Sequence, residues 1–479
     1  MGPRPPVPGD ICWIHGGLSS IIKAPMPIRN RHAALRIHPW LWRTALSVLI
    51  VIPASMLVHH CWNIFMSDRI IRSEPTIDGY SRALTYDPSN ASTWWRRGRL
   101  HHYSVFQADI GAAIDDYRNA LERNPLLGQA WMDLSDALER AGRPGPAREA
   151  LEHALEIQPY SPLIQWQGGN FFLRRGDLPR MYACFRTACR YDAAKLGIAM
   201  ETAWKVDPDR GGILQKLIPD DFRSTFRYLD FLVGKNELDL SVAAWARCMK
   251  TPVPPEIDLK PSALFPLIDR LLSDNRTAEA LRVWDDVLRK ARTGLSDSRL
   301  TQFVSPENPR RPKDLVWNGS FENGILRGGF DWRYTQESGV QFGVDTGIRL
   351  KGLKSLKVAF GGTNLPAGHL HQIVPIPDPG SYILDFYVTT SGLTTDSLPY
   401  ISITGYPDAK GATARSDPFP RTTDWMRISV PFAVSQASGS IRLSLNRDPL
   451  HKLDNRIRGI VWLDGFTVRR DQSAAVLPR

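Results

Sequence analysis

Three hydrophobic patterns follow one another along the chain, and each predicts a different kind of structure. The first is a continuous apolar run, Thr44–Met66, with no Asp, Glu, Lys or Arg among its 23 residues. A helix of that length can cross the roughly 30 Å hydrocarbon core of a bilayer. Arginines precede the run and charges nearly balance after it, which by the positive-inside rule puts the N-terminus in the cytoplasm. The run predicts a transmembrane anchor over residues 44–66.

Two alternatives stay open for this run. A cleaved signal peptide has the same basic lead-in, but no small-x-small cleavage site follows the run. A buried helix of a soluble protein could also be apolar over this length. Residues 1–43 are basic, and they are Pro- and Gly-rich without periodicity up to residue 25, so we expect a disordered cytoplasmic segment. Met26 is an alternative start, because a complete basic lead-in follows it.

The second pattern is helical. Apolar residues recur at i, i+3, i+4 and i+7 up to about residue 292, which predicts a series of amphipathic helices. Asn124-Pro125 and Gln158-Pro159 each close a segment that ends in an Ala-Leu pair, and the two prolines are 34 residues apart. A fixed period of this length is typical of stacked helical hairpins. We therefore predict a helical repeat domain over residues 67–292, followed by a Pro-rich linker over residues 293–313.

The third pattern is one of short alternating runs separated by Gly, Pro, Asp and Asn, which predicts β-strands between residues 314 and 470. In one run Ile441, Leu443 and Leu445 would face inward, and the residues between them would face outward. About eight such runs predict a two-sheet sandwich. The predicted fold is therefore multidomain, with an N-terminal transmembrane helix, an all-α solenoid and an all-β jelly-roll sandwich.

Composition and charge exclude several classes of protein. The formal charge is +11, but about +5 of it lies in residues 1–43, before the predicted folded part, which argues against nucleic-acid binding. The five cysteines have no metal-ligand or CxxC spacing, and we expect small buried apolar side chains. No phosphate-binding loop, catalytic motif or zinc motif is present, which argues against an enzyme. Residues 471–479 form a short tail.

The helical pattern resembles the tetratricopeptide repeat family, whose best copy here is Trp131, Leu134, Leu138, Ala147, Leu151, Ala154 and Pro159, with Gly142 between the two helices. The resemblance implies a concave groove that binds a protein partner. Its candidate lining residues, one copy after another, are Trp95, Arg99 and His102, then Met132, Asp136 and Arg140, then Trp166, Asn170 and Arg174. Arginines beside tryptophans suit an acidic peptide, a carboxylate or an anionic sugar. The alternative is a set of solvated helix faces.

The strand-rich region resembles the galactose-binding-like jelly rolls of carbohydrate-binding modules, on the motifs Leu315–Glu322, Gln372, Pro379–Tyr382, Asp424-Trp425 and Trp462–Asp464. The resemblance implies glycan binding by aromatic stacking and polar hydrogen bonds, with the candidates Trp332, Tyr334, Asp385, Tyr387, Arg442 and Asn446. It also implies a structural calcium held by Glu322 and Asp464, although Ca²⁺ needs six to eight oxygens. For each aromatic residue, the alternative is core packing.

Together the resemblances imply a non-enzymatic scaffold in the bacterial inner membrane, with most of the chain in the periplasm. The repeats would bind a protein and the sandwich a polysaccharide, in envelope or exopolysaccharide assembly or export. The alternatives are a protein-assembly factor with a structural sandwich, and a glycan-acting enzyme, which would need two carboxylates about 5 to 10 Å apart. We expect contact with the lipid bilayer through residues 44–66, no nucleic acid, and no cofactor besides the calcium.

Overall fold

The structure is a computed structural model, and it describes residues 39–106, 108–257, 259–294, 315–364, 369–376, 378–408, 411–435, 439–448 and 455–471. The predicted disordered segment up to residue 38, most of the linker and nearly all of the tail lie outside these residues. The chain divides into two compact units, Met1–Arg123 and Asn124–Arg479, and each is treated by itself.

The first unit begins with a long helix, α1 (Pro39–Ser73), which contains the predicted apolar run and continues past it. It is long and apolar enough to cross a membrane. Its 35 residues measure about 52 Å, well beyond the thickness of a hydrocarbon core. The part of α1 beyond this length includes its C-terminal end, where the helix contacts the next helix along the chain. There Ser67 is buried, and Asn63, Met66, Ile70 and Ile71 are partly buried on the same helix face.

Three further helices complete this unit: α2 (Ile77–Tyr86), α3 (Ala91–Tyr103) and α4 (Ile110–Arg123). Side-chain caps start two of them, since Thr76 accepts a hydrogen bond from the N–H of Gly79 and Asn90 accepts one from that of Thr93. The end of α1 and α2 thus form the first helical hairpin, and α3 and α4 form the second.

The second unit starts with ten helices among its described residues: α5 (Gly128–Arg140), α6 (Pro144–Ile157), α7 (Pro162–Arg174), α8 (Leu178–Tyr191), α9 (Leu196–Val206), α10 (Ile213–Lys216), α11 (Phe222–Gly234), α12 (Leu238–Lys250), α13 (Phe265–Ser273) and α14 (Thr277–Gly294). Helices α5 and α7 begin 34 residues apart, as do α6 and α8. A small residue on the first helix of a hairpin lets the second approach closely. A Cβ atom on Gly169 would lie 2.3 Å from the ring of Phe185.

A repeated hydrogen bond accompanies the prolines that mark the period. Proline ends a helix, and its carbonyl oxygen then needs a partner. The indole Nε1 of Trp94 donates to the carbonyl of Pro88 at 3.0 Å, and that of Trp131 donates to Pro125 at 2.8 Å. In the next copy, the side-chain amide of Gln165 takes the same role toward Pro159 at 2.7 Å. In each copy, the carbonyl oxygen of the closing proline therefore accepts a hydrogen bond from the side chain six residues further along, in the next helix.

The sandwich has ten described strands: β1 (Arg333–Tyr334), β2 (Val340–Asp345), β3 (Ser355–Thr363), β4 (Leu370–Pro375), β5 (Gly380–Ser391), β6 (Tyr400–Tyr406), β7 (Thr413–Arg415), β8 (Thr423–Val434), β9 (Ser440–Asn446) and β10 (Ile457–Arg470). The first sheet has the order β1-β4-β9-β6-β7, and the second has the order β2-β3-β10-β5-β8. All pairs are antiparallel. The predicted alternation is confirmed, because Ile441, Leu443 and Leu445 are buried in the core between the sheets. The predicted fold class is confirmed with it.

The last helical hairpin, α13 and α14, packs directly on the sandwich. The buried ring of Trp284 lies edge-to-face against Trp317 and Phe330, with centroid distances of 5.4 and 6.0 Å. A Cβ atom on Gly329 would lie 2.3 Å from that indole, so the chain must carry glycine at this approach. Phe265 stacks on the same tryptophan at 6.4 Å. Helices and sandwich therefore share an aromatic junction.

Candidate functional site

The predicted glycan-binding residues do not come together in one place. Trp332 is wrong as a binding residue because it is fully buried in the sandwich core, where its ring contacts Phe321 and Phe466. The prediction for Tyr334 is also wrong, because its ring packs against the core beside Phe342. The guanidinium of Arg327 lies 4.1 Å from the centroid of that ring. Neither residue presents its ring on an open sheet face.

Asp385 and Tyr387 point outward, but from the second sheet. Asp385 is 5 % exposed and lies between two arginines, with oxygens 2.9 Å from Arg427 and 3.1 Å from Arg469. Ser429 also donates a hydrogen bond to it. Burial alone would raise the pKa of Asp385, but these hydrogen bonds outweigh it and hold the pKa below its usual value. The carboxylate is thus committed to protein partners, which contradicts its predicted role in glycan binding.

Arg442 and Asn446 point outward from the first sheet, as predicted, and they lie beside residues that the sequence analysis missed. We call the set the tyrosine–arginine face. It consists of the outward side chains of β6, β7 and the adjacent part of β9, namely Tyr400, Ser402, Thr404, Tyr406, Thr413, Arg415, Arg442 and Asn446. All eight are partly or largely exposed. The alternation of the run over residues 400–406 was the signal that could have found the four on β6.

Two tyrosine–arginine pairs mark the ends of this face. The guanidinium of Arg442 lies 5.0 Å from the ring centroid of Tyr406, and that of Arg415 lies 5.3 Å from the ring of Tyr400. The Tyr400 hydroxyl also donates to the carboxylate of Asp448 at 2.7 Å. Burial, and next the hydrogen bond to that carboxylate, raise the pKa of Tyr400. The face therefore combines aromatic rings with hydroxyl, amide and guanidinium groups.

The last helical hairpin borders this face. On β1 Arg333 forms an ion pair with Asp269 of α13, and at the start of β9 the hydroxyls of Ser440 and Thr277 are 3.4 Å apart. Strand β4 lies between β1 and β9, and its outward Ile373 is only 1 % exposed. The helices thus cover the β1–β4 half of the outer surface and leave the tyrosine–arginine face open.

The two predicted calcium ligands meet the same loop. Glu322 accepts hydrogen bonds from the N–H groups of Leu353 and Lys354 at 2.8 and 3.1 Å, and Asp464 accepts one from Leu350 at 3.1 Å. Burial raises the pKa of Asp464, and the nearby Glu322 carboxylate adds to the effect. One Asp464 oxygen, Oδ1, is buried without a hydrogen-bond partner.

These residues fit a cation only in part. The described residues contain no group of three or more His, Cys, Asp or Glu side chains that could hold a metal ion. The Lys354 ammonium, which donates to the Glu322 carbonyl oxygen at 2.7 Å, already places a positive charge beside this residue. A Ca²⁺ ion would need backbone carbonyl or water oxygens besides the two carboxylates. The calcium therefore stays a prediction.

Among the predicted groove residues of α3, His102 is wrong as a lining residue. It is 2 % exposed, and its Nδ1 lies 3.2 Å from the Tyr117 hydroxyl of α4. Trp95 is half-buried, and the exposed Arg99 extends its guanidinium over that ring at 5.3 Å. Arg99 also lies over Tyr103, at 5.8 Å. This helix thus presents one cation on a small aromatic surface.

In the second unit, the predicted groove arginines have acidic partners. Arg140 lies 3.3 Å from Asp136 on the same helix, and Arg174 and its neighbour Arg175 pair with Glu139 at 2.6 and 2.9 Å. Burial alone would raise the pKa of Glu139, but the hydrogen bonds and charges of those two arginines outweigh it and hold the pKa below its usual value. The groove of this unit is thus less basic than its sequence indicated.

The other predicted groove residues of this unit remain accessible. Met132, Trp166 and Asn170 are half-buried. The ring of Trp166 packs on Phe185 at 4.6 Å, and the Lys195 ammonium lies 5.4 Å from the same ring. These side chains can contact a partner with little rearrangement.

Fold and site define a multidomain protein with a helical repeat array and a β-sandwich, a combination of binding elements. Residues 105–162 match the model of the tetratricopeptide repeat family. No curated protein matches the chain.

Several solved structures are similar to parts of the chain. MamA is 18 % identical, with a TM-score of 0.23, covering 28 % of this chain and 89 % of its own. TmCBM61, solved with β-1,4-galactotriose, is 15 % identical, with a TM-score of 0.24, covering 33 % of this chain and 99 % of its own. The CBM22-1 xylan-binding domain of Paenibacillus barcinonensis Xyn10C is 22 % identical, with a TM-score of 0.21, covering 32 % and 91 %.

Proposed function

We propose that this protein is a non-enzymatic, membrane-anchored scaffold whose sandwich binds a glycan while its repeats hold a protein partner. The observation that carries the glycan part is the tyrosine–arginine face. Tyr400 and Tyr406 are six residues apart on one strand, which corresponds to about 20 Å. Rings at both ends, with hydroxyl and amide groups between them, suit an extended sugar chain that stacks on aromatics and hydrogen-bonds through its hydroxyls.

The protein-binding part is supported by the repeat family match and by the half-exposed side chains of the array. In the first unit Trp95 is partly accessible, and in the second unit Met132, Trp166 and Asn170 are, each on the first helix of its hairpin. Ion pairs such as that between Arg174 and Glu139 leave the helical surface of the second unit with mixed charge. A partner with both apolar and polar contacts therefore fits better than a strongly acidic peptide.

The anchoring part is supported by the continuity of α1. The helix that contains the apolar run supplies Met66, Ser67, Ile70 and Ile71 to the packing surface of the first hairpin. Cleavage at the end of the run would cut into that hairpin, which favours an uncleaved anchor over a signal peptide. We propose that the anchor lies in the bacterial inner membrane and that the remaining domains lie in the periplasm. The role we propose there is in the assembly or export of envelope polysaccharide or exopolysaccharide.

The test uses the full chain, purified in a detergent without a sugar headgroup so that detergent cannot occupy the face. Its migration would be measured in gels that contain soluble polysaccharides, one at a time. We expect at least one of them to retard the protein, and Tyr400→Ala or Tyr406→Ala to abolish the retardation. Tyr387→Ala, on the second sheet, is the matched control and should leave it unchanged. Retardation by none of the polysaccharides would refute glycan binding.

One observation favours a second candidate, a protein-assembly factor with a structural sandwich. The docking of α13 and α14 through Trp284 and the Asp269–Arg333 ion pair shows that the sandwich already has a structural partner within the chain. In that case the full chain would copurify with a protein partner and ignore every polysaccharide in the gels.

A further inference from the structure

We infer that the tyrosine–arginine face binds an acidic polysaccharide, one whose sugars carry carboxylate groups. This inference rests on the proposed glycan-binding function and adds the charge of the ligand. It starts from the positions of the two arginines. Arg442 lies on β9 and Arg415 on β7, the two strands that flank β6. Guanidinium groups therefore lie on both sides of the row formed by Tyr400, Ser402 and Thr404.

Arg442 has no counter-charge. Among the described residues none forms an ion pair with it, and its Nε is buried without a hydrogen-bond partner. Its guanidinium is held in place over the ring of Tyr406 instead. A half-buried cation has lost part of its hydration, so an anionic ligand that reaches it gains more than it would from a fully solvated arginine.

Arg415 is only weakly neutralised. Its ion pair with Asp448 is 3.4 Å long, and both side chains are more than 60 % exposed, at 65 % and 62 %. Exposed pairs of this kind contribute little and exchange partners readily. A ligand carboxylate can therefore compete with Asp448 for this guanidinium, in the bidentate geometry that arginine offers.

The second sheet provides the contrast. Two of its outward arginines, Arg427 and Arg469, both contact the buried Asp385, so each of these two cations already has a carboxylate partner within the fold. The first sheet has no buried carboxylate beside Arg442 among the described residues. The two surfaces thus differ in how their arginines are held: Arg427 and Arg469 share a buried carboxylate, whereas Arg442 has none in the described part of the chain and can accept one from a ligand.

The experiment compares polymers that differ in charge and share a backbone. The full chain would be titrated with polygalacturonate, alginate and hyaluronate, and with the carboxyl-reduced form of each. We expect at least one acidic polymer to bind about tenfold or more tightly than its reduced form at low salt, with the difference shrinking as salt is added. Equal affinity for the two forms of every polymer that binds would overturn the inference.

Variants assign the effect to this face. Arg442→Gln and Arg415→Gln should each weaken binding of the acidic polymer severalfold more than binding of its reduced form, so that the preference for the acidic form shrinks, and Arg442→Lys should restore part of that preference. Arg427→Gln removes a charge from the opposite face and is the control, with thermal melting to confirm that each variant is folded. Loss of affinity in Arg427→Gln alone would also overturn the inference.

The two proposals fail differently. If a neutral polysaccharide binds and none of the three acidic polymers does, glycan binding stands and the charge assignment falls. If neither acidic nor neutral polymers bind the folded chain, both fall.

Discussion

The aromatic junction between the last helical hairpin and the sandwich should couple the unfolding of the two. The perturbation that tests this is Trp284→Ala. Trp284 is 2 % exposed and lies edge-to-face on both Trp317 and Phe330, so the substitution removes the centre of the junction. Gly329 packs against the same ring, so the tryptophan side chain fills the space beside the sandwich backbone.

The expected loss in the free energy of unfolding follows from the burial of Trp284 and the geometry of its ring contacts. Truncating a buried tryptophan to alanine costs about 3–5 kcal/mol, and each edge-to-face pair contributes about 0.5–1.5 kcal/mol beyond burial. Because two such pairs are lost, we expect the free energy of unfolding to fall by an amount near the upper end of that range, about 5 kcal/mol. A loss of this size exceeds what the Asp269–Arg333 ion pair alone could offset.

Differential scanning calorimetry of the full chain provides the assay. The wild type should unfold its last hairpin and sandwich in one transition, and Trp284→Ala should separate them into two. Trp204→Ala is the matched control, because Trp204 contacts Phe231 and Arg210 of the helical array and is distant in sequence from the sandwich. It should lower the helical transition without splitting it. A single transition for Trp284→Ala, shifted by the equivalent of less than about 1 kcal/mol, would refute the coupling.

Three other predictions follow from single sites. Gly169→Ala should cost about 1–3 kcal/mol in thermal unfolding, because its Cβ would lie 2.3 Å from the ring of Phe185, whereas Gly145→Ala has open space and should be neutral or stabilising. Burial raises the pKa of Asp331 to about 7, so its contribution to stability is present below about pH 4 and lost as pH rises through 7. The melting temperature should fall over that range, and less so in Asp331→Asn. If calcium binds, chelation should lower the melting temperature of the wild type and leave that of Asp464→Asn unchanged.

The sequence predicted elements well where one face of the element is buried. The run that contains Ile441, Leu443 and Leu445 forms β9 (Ser440–Asn446), because its period of two separates core from solvent. The same period cannot say to which sheet an outward residue belongs. Asp385 and Arg442 are both outward, yet they lie on opposite surfaces of the sandwich. Sheet order depends on long-range strand pairing, which no local pattern encodes.

Other misplacements have local causes. Trp332 lies immediately before a two-residue strand, too short for alternation to assign its side. His102 was assigned to a groove by its repeat position, but the hydroxyl of Tyr117 gives it a buried partner. The continuation of α1 was missed because charged residues follow Met66, although the helix buries only one face there and tolerates charges on the other.

The measurement that tests glycan binding by the tyrosine–arginine face most directly is hydrogen–deuterium exchange of the full chain with and without a polysaccharide that retards it. We expect slower exchange in peptides covering Tyr400–Tyr406 and Thr413–Arg415, the strands that carry the face. Peptides from Gly380–Ser391 and Thr423–Val434, on the second sheet, should be unchanged. Protection confined to the second sheet, or to the helical repeats, would contradict it.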